Sequence, residues 1–180
     1  MACISKLTNA ISYNCDSGAT GLVSAIIINK ADIASFTVDA VGGVSGVTLA
    51  SGAKAYKIDT IKRSLVVSSA LKVNDGAPNA NAHSATIISM YTDQTEVQTG
   101  INRAFTNGSF VIIAKHVQTT QQAAVYGLYY GMSATAIDKS SHDNGSWTTI
   151  TLETPENVIG EDNLYITAAE YDALYNAAVG

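Results

Sequence analysis

Short apolar runs alternate with turn residues along most of the chain. The first run covers residues 22–28, breaks at the polar segment 29–32 and resumes over 33–38, which predicts two short strands. Further runs with the length or alternation of strands cover residues 55–59, 64–73, 83–91, 110–114, 123–132, 134–137, 147–153 and 164–166. The run 110–114 with 123–132, and the run 134–137 with 147–153, predict two antiparallel hairpins. The pattern is that of a mainly β protein.

Two segments have the pattern of helices. Residues 93–96 (DQTE) match a capping box, and apolar residues follow at four-residue spacing as far as Phe105, ahead of an expected helix end at Asn107-Gly108. Residues 167–170 (TAAE) form a second capping box before an apolar face that begins at Tyr171. We therefore expect a β-sandwich or barrel with one central helix and a short C-terminal helix.

Composition shifts divide the chain into an arm, a β domain and a helix. Residues 1–20 have only scattered apolar positions and predict an irregular N-terminal arm, residues 21–166 the β-sandwich domain, and residues 167–180 the C-terminal helix. Within the domain, residues 39–54 carry four glycines, a pattern that fits a long loop or a loose β-excursion. The four glycines are Gly42, Gly43, Gly46 and Gly52. We adopt the long loop and expect a neighbouring subunit to order it.

The chain carries few charges. Charged residues make up 14% of the sequence, with 10 basic and 15 acidic residues and a net charge of -5. A neutral surface costs little to desolvate, so this composition favours repeated self-association. No run of Lys or Arg could neutralise a row of phosphates, and an acidic surface would let DNA pass without binding it.

Cys3 and Cys15 are the only cysteines in the sequence. The first residues lack the apolar run of a signal peptide, so we expect synthesis in the cytoplasm with both thiols reduced. A disulfide between the two cysteines stays open on length alone. No apolar stretch reaches the roughly 18 residues that a membrane span requires.

The sequence lacks the motifs of known catalytic and metal sites. His83, His116 and His142 fall in different predicted elements without a His or Cys at metal-ligand spacing, so we expect surface or strand-end residues. Residues 142–145 lack the distal Glu of a calcium loop and predict a hairpin turn. Residues 43–46 do not form a nucleophile elbow, and no glycine-rich phosphate loop occurs. We expect no enzyme and no catalytic, cofactor-binding or metal-binding residue.

The aromatic residues are predicted to pack. Tyr126, Leu128 and Tyr130 would share one face of a strand at period two, which favours half-buried sheet packing over a stacking platform. Trp147 is expected to anchor the core or an interface, and its replacement by alanine is predicted to cost about 3 to 5 kcal/mol.

Two parts of the chain resemble phage virion proteins. The opening Met-Ala-Cys, residues 15–19 and the apolar strand after them resemble the start of virion structural proteins from phages of Bacteroidetes-type hosts. Residues 110–114, 125–132 (VYGLYYGM) and 145–152 resemble the strand, Tyr-Gly-x-x-x-Gly-Met, glycine-rich turn and closing strand of phage tail-tube-like subunits. The resemblance implies hexameric rings stacked around a DNA conduit, with residues 39–54 as an inter-ring loop. The C-terminal helix departs from that pattern.

These observations leave hypotheses of different classes. The first is a tail-tube subunit in the virion tail that binds its own copies and other virion proteins, with a head-to-tail connector or capsid decoration protein as an alternative. The second is a carbohydrate-binding or adhesin-like β-sandwich module, which would need an exposed aromatic platform near carboxylate or amide groups. The third is a hydrolase with an unrecognised site.

Overall fold

The described part of the chain forms eleven strands and a C-terminal helix. The computed structural model describes residues 21–58, 60, 64–89, 103–117, 121–139 and 148–179. The strands are β1 Leu22–Asn29, β2 Ile33–Val38, β3 Gly43–Leu49, β4 Tyr56–Ile58, β5 Leu65–Lys72, β6 Ala80–Ser89, β7 Ser109–His116, β8 Gln122–Tyr126, β9 Met132–Lys139, β10 Thr148–Glu153 and β11 Leu164–Thr167. A 3-10 helix at Lys30–Asp32, a helical segment at residues 103–107 and the helix Ala168–Ala177 complete the set.

β7 is the branch point of a single sheet that does not close into a barrel. One edge of β7 pairs antiparallel with β1, from Asn29↔Phe110 to Leu22↔His116. Its other edge is shared, because residues 112–114 pair with β8 and residues 109–110 pair with β9. From β8 the sheet continues through β11 and β3 to β2, and from β9 through β10 and β6 to β5. We call these two series the β2 wing and the β5 wing.

β1 and β7 are buried on both faces. Val111 and Ile113 of β7 belong to a core cluster shared with the β2 wing and the C-terminal helix. Phe110, Ile112 and Ala114 belong to a second cluster shared with the β5 wing. Alternate side chains of a strand point to opposite faces, so a strand covered on both sides needs an unbroken apolar run. The antiparallel pair of β1 and β7, which we call the central ribbon, therefore separates two cores and contributes side chains to each.

The C-terminal helix is fixed at its first turn and at its buried face. The Thr167 side chain accepts a hydrogen bond from the Glu170 backbone N–H at 3.4 Å and donates to Glu170 Oε2 at 3.1 Å. Tyr171 is almost fully buried, and its hydroxyl donates to Ser24 Oγ on β1 at 2.7 Å. The second capping box thus marks the true helix start, and the helix is held against the central ribbon.

Several sequence predictions are confirmed. The fold is mainly β, and β7 pairs with β8 and β9 with β10 as antiparallel neighbours. The helical segment 103–107 ends at the predicted Asn107-Gly108 pair. The predicted start of that helix, the N-terminal arm with both cysteines, the turn at 142–145 and Trp147 lie outside the described residues.

Two predictions were wrong, and of the two alternatives given for the β fold the barrel is not formed. Residues 39–54 are not one long loop, because β3 occupies Gly43–Leu49 and pairs with both β2 and β11 inside the chain. Val44, Val47 and Leu49 contact the core cluster of the β2 wing, and this burial outweighs the flexibility of the glycines. The strand predicted over 123–132 stops at Tyr126, where a turn begins.

We predict that truncating a side chain of the central ribbon lowers the free energy of unfolding far more than truncating a side chain of an edge strand. Ile113→Ala should lower the free energy of unfolding by about 2 to 5 kcal/mol, because Ile113 is 1% exposed and a cavity would remain. The control Val66→Ala, at a side chain 50% exposed, should change it by roughly 0.5 kcal/mol. Urea denaturation of both variants measures the difference. Equal losses would contradict the assignment of β7 as the shared core strand.

Candidate functional site

The turn between β8 and β9 is the place where the buried side chains of His83 and Glu161 meet the backbone. Gly127 and Gly131 bound this turn with φ values of 75° and 72°, in the left-handed region that favours glycine. The Gly131 N–H donates to the Gly127 carbonyl at 2.9 Å. A Cβ atom on Gly131 would collide with the Ser109 hydroxyl on β7. The turn is therefore pressed against the branch point of the sheet.

Glu161 holds the middle of this turn. Its side chain is 2% exposed, and Oε1 accepts hydrogen bonds from the backbone N–H groups of Tyr129 at 2.9 Å and Tyr130 at 3.0 Å. The backbone of Glu161 also exchanges two hydrogen bonds with Asn81 of β6, at 2.7 and 2.9 Å. Burial raises the pKa of the Glu161 carboxyl, while the N–H groups of the turn and the Lys30 charge oppose that rise. Glu161 thus ties the turn to the β5 wing.

His83 of β6 holds the start of the turn. The residue is 1% exposed, and its Nδ1 accepts a hydrogen bond from the Gly127 N–H at 3.0 Å. Burial lowers the pKa of His83 to about 4, so the ring is neutral at neutral pH and can act as this acceptor. The hydroxyl of Thr154 accepts from the His83 N–H at 2.9 Å and so fixes the backbone on the side facing β10.

Tyr126 links the ring of His83 to the end of β7. The two rings meet edge to face with centroids 5.4 Å apart, and the Tyr126 hydroxyl lies 3.1 Å from His116 Nε2. Burial raises the pKa of Tyr126 to about 12 and lowers the pKa of His116. Both groups are therefore neutral near pH 7, and the series His83, Tyr126 and His116 carries no net charge.

These groups support the fold and form no open reaction centre. His83 Nε2, Ser109 Oγ and Glu161 Oε2 are buried and have no hydrogen-bond partner among the described residues. A cleft of about 360 Å³ borders the backbone of His83, but the His83 ring points to the opposite face of β6, with Ala85 and Ile87. No nucleophile of the described part of the chain is paired with a base in that cleft.

The cleft itself lies on the solvent-facing side of the β5 wing and is lined by apolar and polar groups, including Ala70 and Ala82. Lys72, Ser84, Glu153, Thr154 and Glu156 contribute to its lining. The Lys72 ammonium donates to the carbonyl oxygens of Glu156 at 2.8 Å and Val158 at 2.5 Å. Because its donors are used on these carbonyls, Lys72 fastens the loop after β10 to β5.

The same side of the wing carries a patch of uncharged, mostly small side chains that includes the cleft wall at Ala70, Ala82 and Ser84. Residues paired across neighbouring strands share one face of a sheet, and the register places Val66 beside Thr86 and Thr86 beside Thr151. This surface, which we call the outer face, consists of Val66, Ser68, Ala70, Ala82, Ser84, Thr86 and Thr151. Val66, Ser68 and Ala70 are exposed. Three charged residues border this face: Glu153 pairs with Ser84, Lys72 follows the face along β5, and Asp138 pairs with Thr149 beside it.

Three of the four glycines in the predicted loop make close contacts within the chain. Gly43 donates its N–H to Asp39 Oδ1 at 2.8 Å, and Gly46 donates to Glu170 Oε1 of the helix at 3.1 Å. Gly42 has a φ of 88°, and a Cβ there would lie 2.8 Å from the Asn163 carbonyl oxygen. Gly52 also has a positive φ but faces open space. Their predicted role between subunits stays a prediction.

The histidine expectation is confirmed at one position and wrong at another. His116 is the last residue of β7, as expected of a strand-end residue. His83 is buried in the middle of β6, and its period-two alternation with Ala85 and Ile87 was the signal available in the sequence. Glu161 had no comparable signal, because it follows a turn and stands outside any strand pattern.

Comparison with protein-family models, curated proteins and solved structures finds no match for this chain. Over the described ranges, no helix has the length and apolar character needed to cross a membrane. In the same ranges, no three His, Cys, Asp or Glu side chains are grouped so that they could hold a metal ion. The function must therefore be argued from the surfaces of the molecule.

We predict that His83 makes the fold sensitive to mild acid. Its pKa falls from 6.5 in the unfolded chain to about 4 in the fold, so its contribution is complete above pH 6.5 and is lost between pH 6.5 and 4. The loss should reach about 3 kcal/mol. Unfolding free energies of the wild type and of His83→Gln, which keeps an acceptor but does not titrate, measure it. Parallel pH profiles for the two proteins would contradict the prediction.

Proposed function

We propose that the protein is a structural subunit of a virion, specifically a tail-tube subunit whose copies form stacked hexameric rings around a DNA conduit. The observation that carries the proposal is the outer face of the β5 wing, whose seven Val, Ser, Ala and Thr side chains are uncharged and have Lys72, Glu153 and Asp138 at their borders. A sheet supplies a preformed surface, and small Ser, Thr and Ala side chains leave few charges to be desolvated at a contact. The resemblance of residues 110–152 to tail-tube-like subunits points in the same direction.

The charge of the chain supports the conduit part of the proposal. A net charge of -5 with no basic run gives DNA no site at which to release counterions. A wall of this kind repels the phosphate backbone weakly and lets the duplex move. Other virion proteins would meet the ends of such a tube.

A head-to-tail connector or a capsid decoration protein would use the same kind of surface. Connector and decoration proteins differ from tube subunits in the number of copies that assemble and in the shape of the assembly. A carbohydrate-binding module is less well supported, since the exposed tyrosines among the described residues lie on three separate elements. They are Tyr56 on β4, Tyr130 in the turn and Tyr165 on β11.

Negative-stain microscopy and light scattering of the purified protein test the proposal. Tubes or stacked rings are expected at high concentration. Isolated rings or particles of fixed size would favour the connector or decoration roles. A strict monomer at high concentration, with any tag removed, would overturn the proposal.

We predict that one added charge on the outer face blocks assembly. Thr86→Glu places a carboxylate in the middle of this face, where contact with another subunit would cost several kcal/mol in desolvation and repulsion. The control Ala173→Glu adds the same charge at an exposed position of the C-terminal helix. Thermal melts should show both variants folded, and sedimentation should show assembly of the control alone. Normal assembly of Thr86→Glu would contradict the use of this face.

A further inference from the structure

The sheet has three terminal strands, β2, β4 and β5. Native proteins normally protect such edges, because an unpaired row of N–H and C=O groups is a template for another strand. β4 is covered by Val179, which lies just after the C-terminal helix. The Lys57 N–H donates to the Val179 carbonyl at 2.8 Å, and the Val179 N–H donates to the Ala55 carbonyl at 2.9 Å. β4 is therefore a protected edge.

β2 is protected by its irregular geometry. Its register with β3 shifts twice, between Ile33 and Ser35 and again between Ser35 and Thr37. Bulges increase the local twist of a strand and interrupt the even spacing of its outward groups. A further strand would find no regular ladder along this edge.

β5 has none of these protections. It pairs with β6 over eight consecutive residues without a shift, from Leu65↔Ile87 to Lys72↔Ala80. Within the described ranges it pairs with no other strand. β5 contains no proline, and the ammonium of Lys72, its one charged residue, is engaged by carbonyl oxygens of the loop after β10. The Lys72 charge, which could otherwise protect the edge from pairing, is thus directed away from it.

The hydrogen bonds between β5 and β6 show which residues of β5 direct their backbone N–H and C=O groups to the free edge. The Ile88 N–H donates to the Ser64 carbonyl at 2.7 Å, so Ser64 and every second residue after it bond to β6. The alternate residues direct their N–H and C=O groups to the free edge. These residues are Leu65, Val67, Ser69 and Leu71. Leu71 is 67% exposed and Val73, just beyond the strand, is 70% exposed.

We propose that β5 of one copy pairs antiparallel with β5 of a second copy around a two-fold axis at Ser69. In this register Leu71 lies opposite Val67 and Val73 lies opposite Leu65 of the other copy. Leu65 and Val67 already contact the core of the β5 wing, so the pairing extends that core over the two exposed side chains. Lys72 lies opposite Val66, which keeps the two ammonium groups apart.

A second copy is the partner that fits this edge. The ladder requires an extended strand with outward groups at the same spacing, and of the three terminal strands of the described sheet β5 alone is regular and uncovered. Antiparallel pairing of two identical edges gives a closed, isologous contact and not an open fibre. The inference goes beyond the proposed tube and stands on the edge geometry alone.

Residue-resolved hydrogen exchange on the wild-type protein tests the pairing directly. The N–H groups of Val66, Ser68 and Ala70 should be protected at every concentration, because they bond to β6. Those of Val67, Ser69 and Leu71 should exchange fast in dilute solution and at least about tenfold more slowly in concentrated solution. Protection of the second set in dilute monomer would mean that the chain covers its own edge, and would overturn the proposal. So would fast exchange at all concentrations.

A matched pair of variants removes one outward donor. Leu71→Pro deletes an N–H that does not bond to β6, and proline is tolerated at such edge positions. Leu71→Thr shortens the same side chain but keeps the N–H. Sedimentation should show the dimer weakened about tenfold or more by Leu71→Pro, with a smaller effect of Leu71→Thr. An unchanged dimer in a folded Leu71→Pro protein would overturn the proposal.

The outcomes separate this inference from the proposed function. Dimers that depend on β5 but never form rings or tubes would support the edge pairing and overturn the tube. Tubes that form normally from folded Leu71→Pro protein, with fast exchange at the β5 edge, would overturn the pairing and leave the tube standing. A dimer formed by a different surface would leave the β5 exchange pattern independent of concentration, and would also overturn the pairing.

Discussion

The burial of β1 and β7 on both faces is the constraint on which the rest of the structure depends. Two hydrophobic clusters meet at this ribbon, one shared with the β2 wing and one with the β5 wing. Neither wing has a complete core without the ribbon, because each contributes one apolar face. The low charge of the sequence fits this arrangement, since a sheet with two cores spends much of its length on buried or small side chains.

The division of the sheet creates a place where backbone groups would otherwise lack partners, and buried polar side chains fill that need. Glu161 accepts from the turn at Tyr129 and Tyr130, and His83 accepts from Gly127. Such groups are costly to bury unless they are hydrogen-bonded. Their burial is therefore explained by the turn, and a catalytic role is not required to account for their shifted pKa values.

Local signals in the sequence predicted much of the framework and missed its long-range contacts. The capping box at residues 167–170 and the apolar run of β7 depend on neighbours in the chain, and both predictions are confirmed. The strand at Gly43–Leu49 pairs with the adjacent β2 and also with β11, more than 100 residues away, and the glycines suggested the opposite. The site at Glu161 is equally non-local, because its partners come from β6 and from the turn after β8.

The unequal attachment of the strands at β7 has a mechanical consequence. β1 is paired to β7 at seven positions, whereas β8 is paired at three and β9 at two. A torque between the wings would therefore load the short pairings first, while the ribbon keeps its shape. Gly127 and Gly131 lie at the same branch point, in the turn that Glu161 and His83 hold by hydrogen bonds. Bending of one wing against the other is therefore resisted at the branch point by fewer backbone pairings than hold the ribbon together.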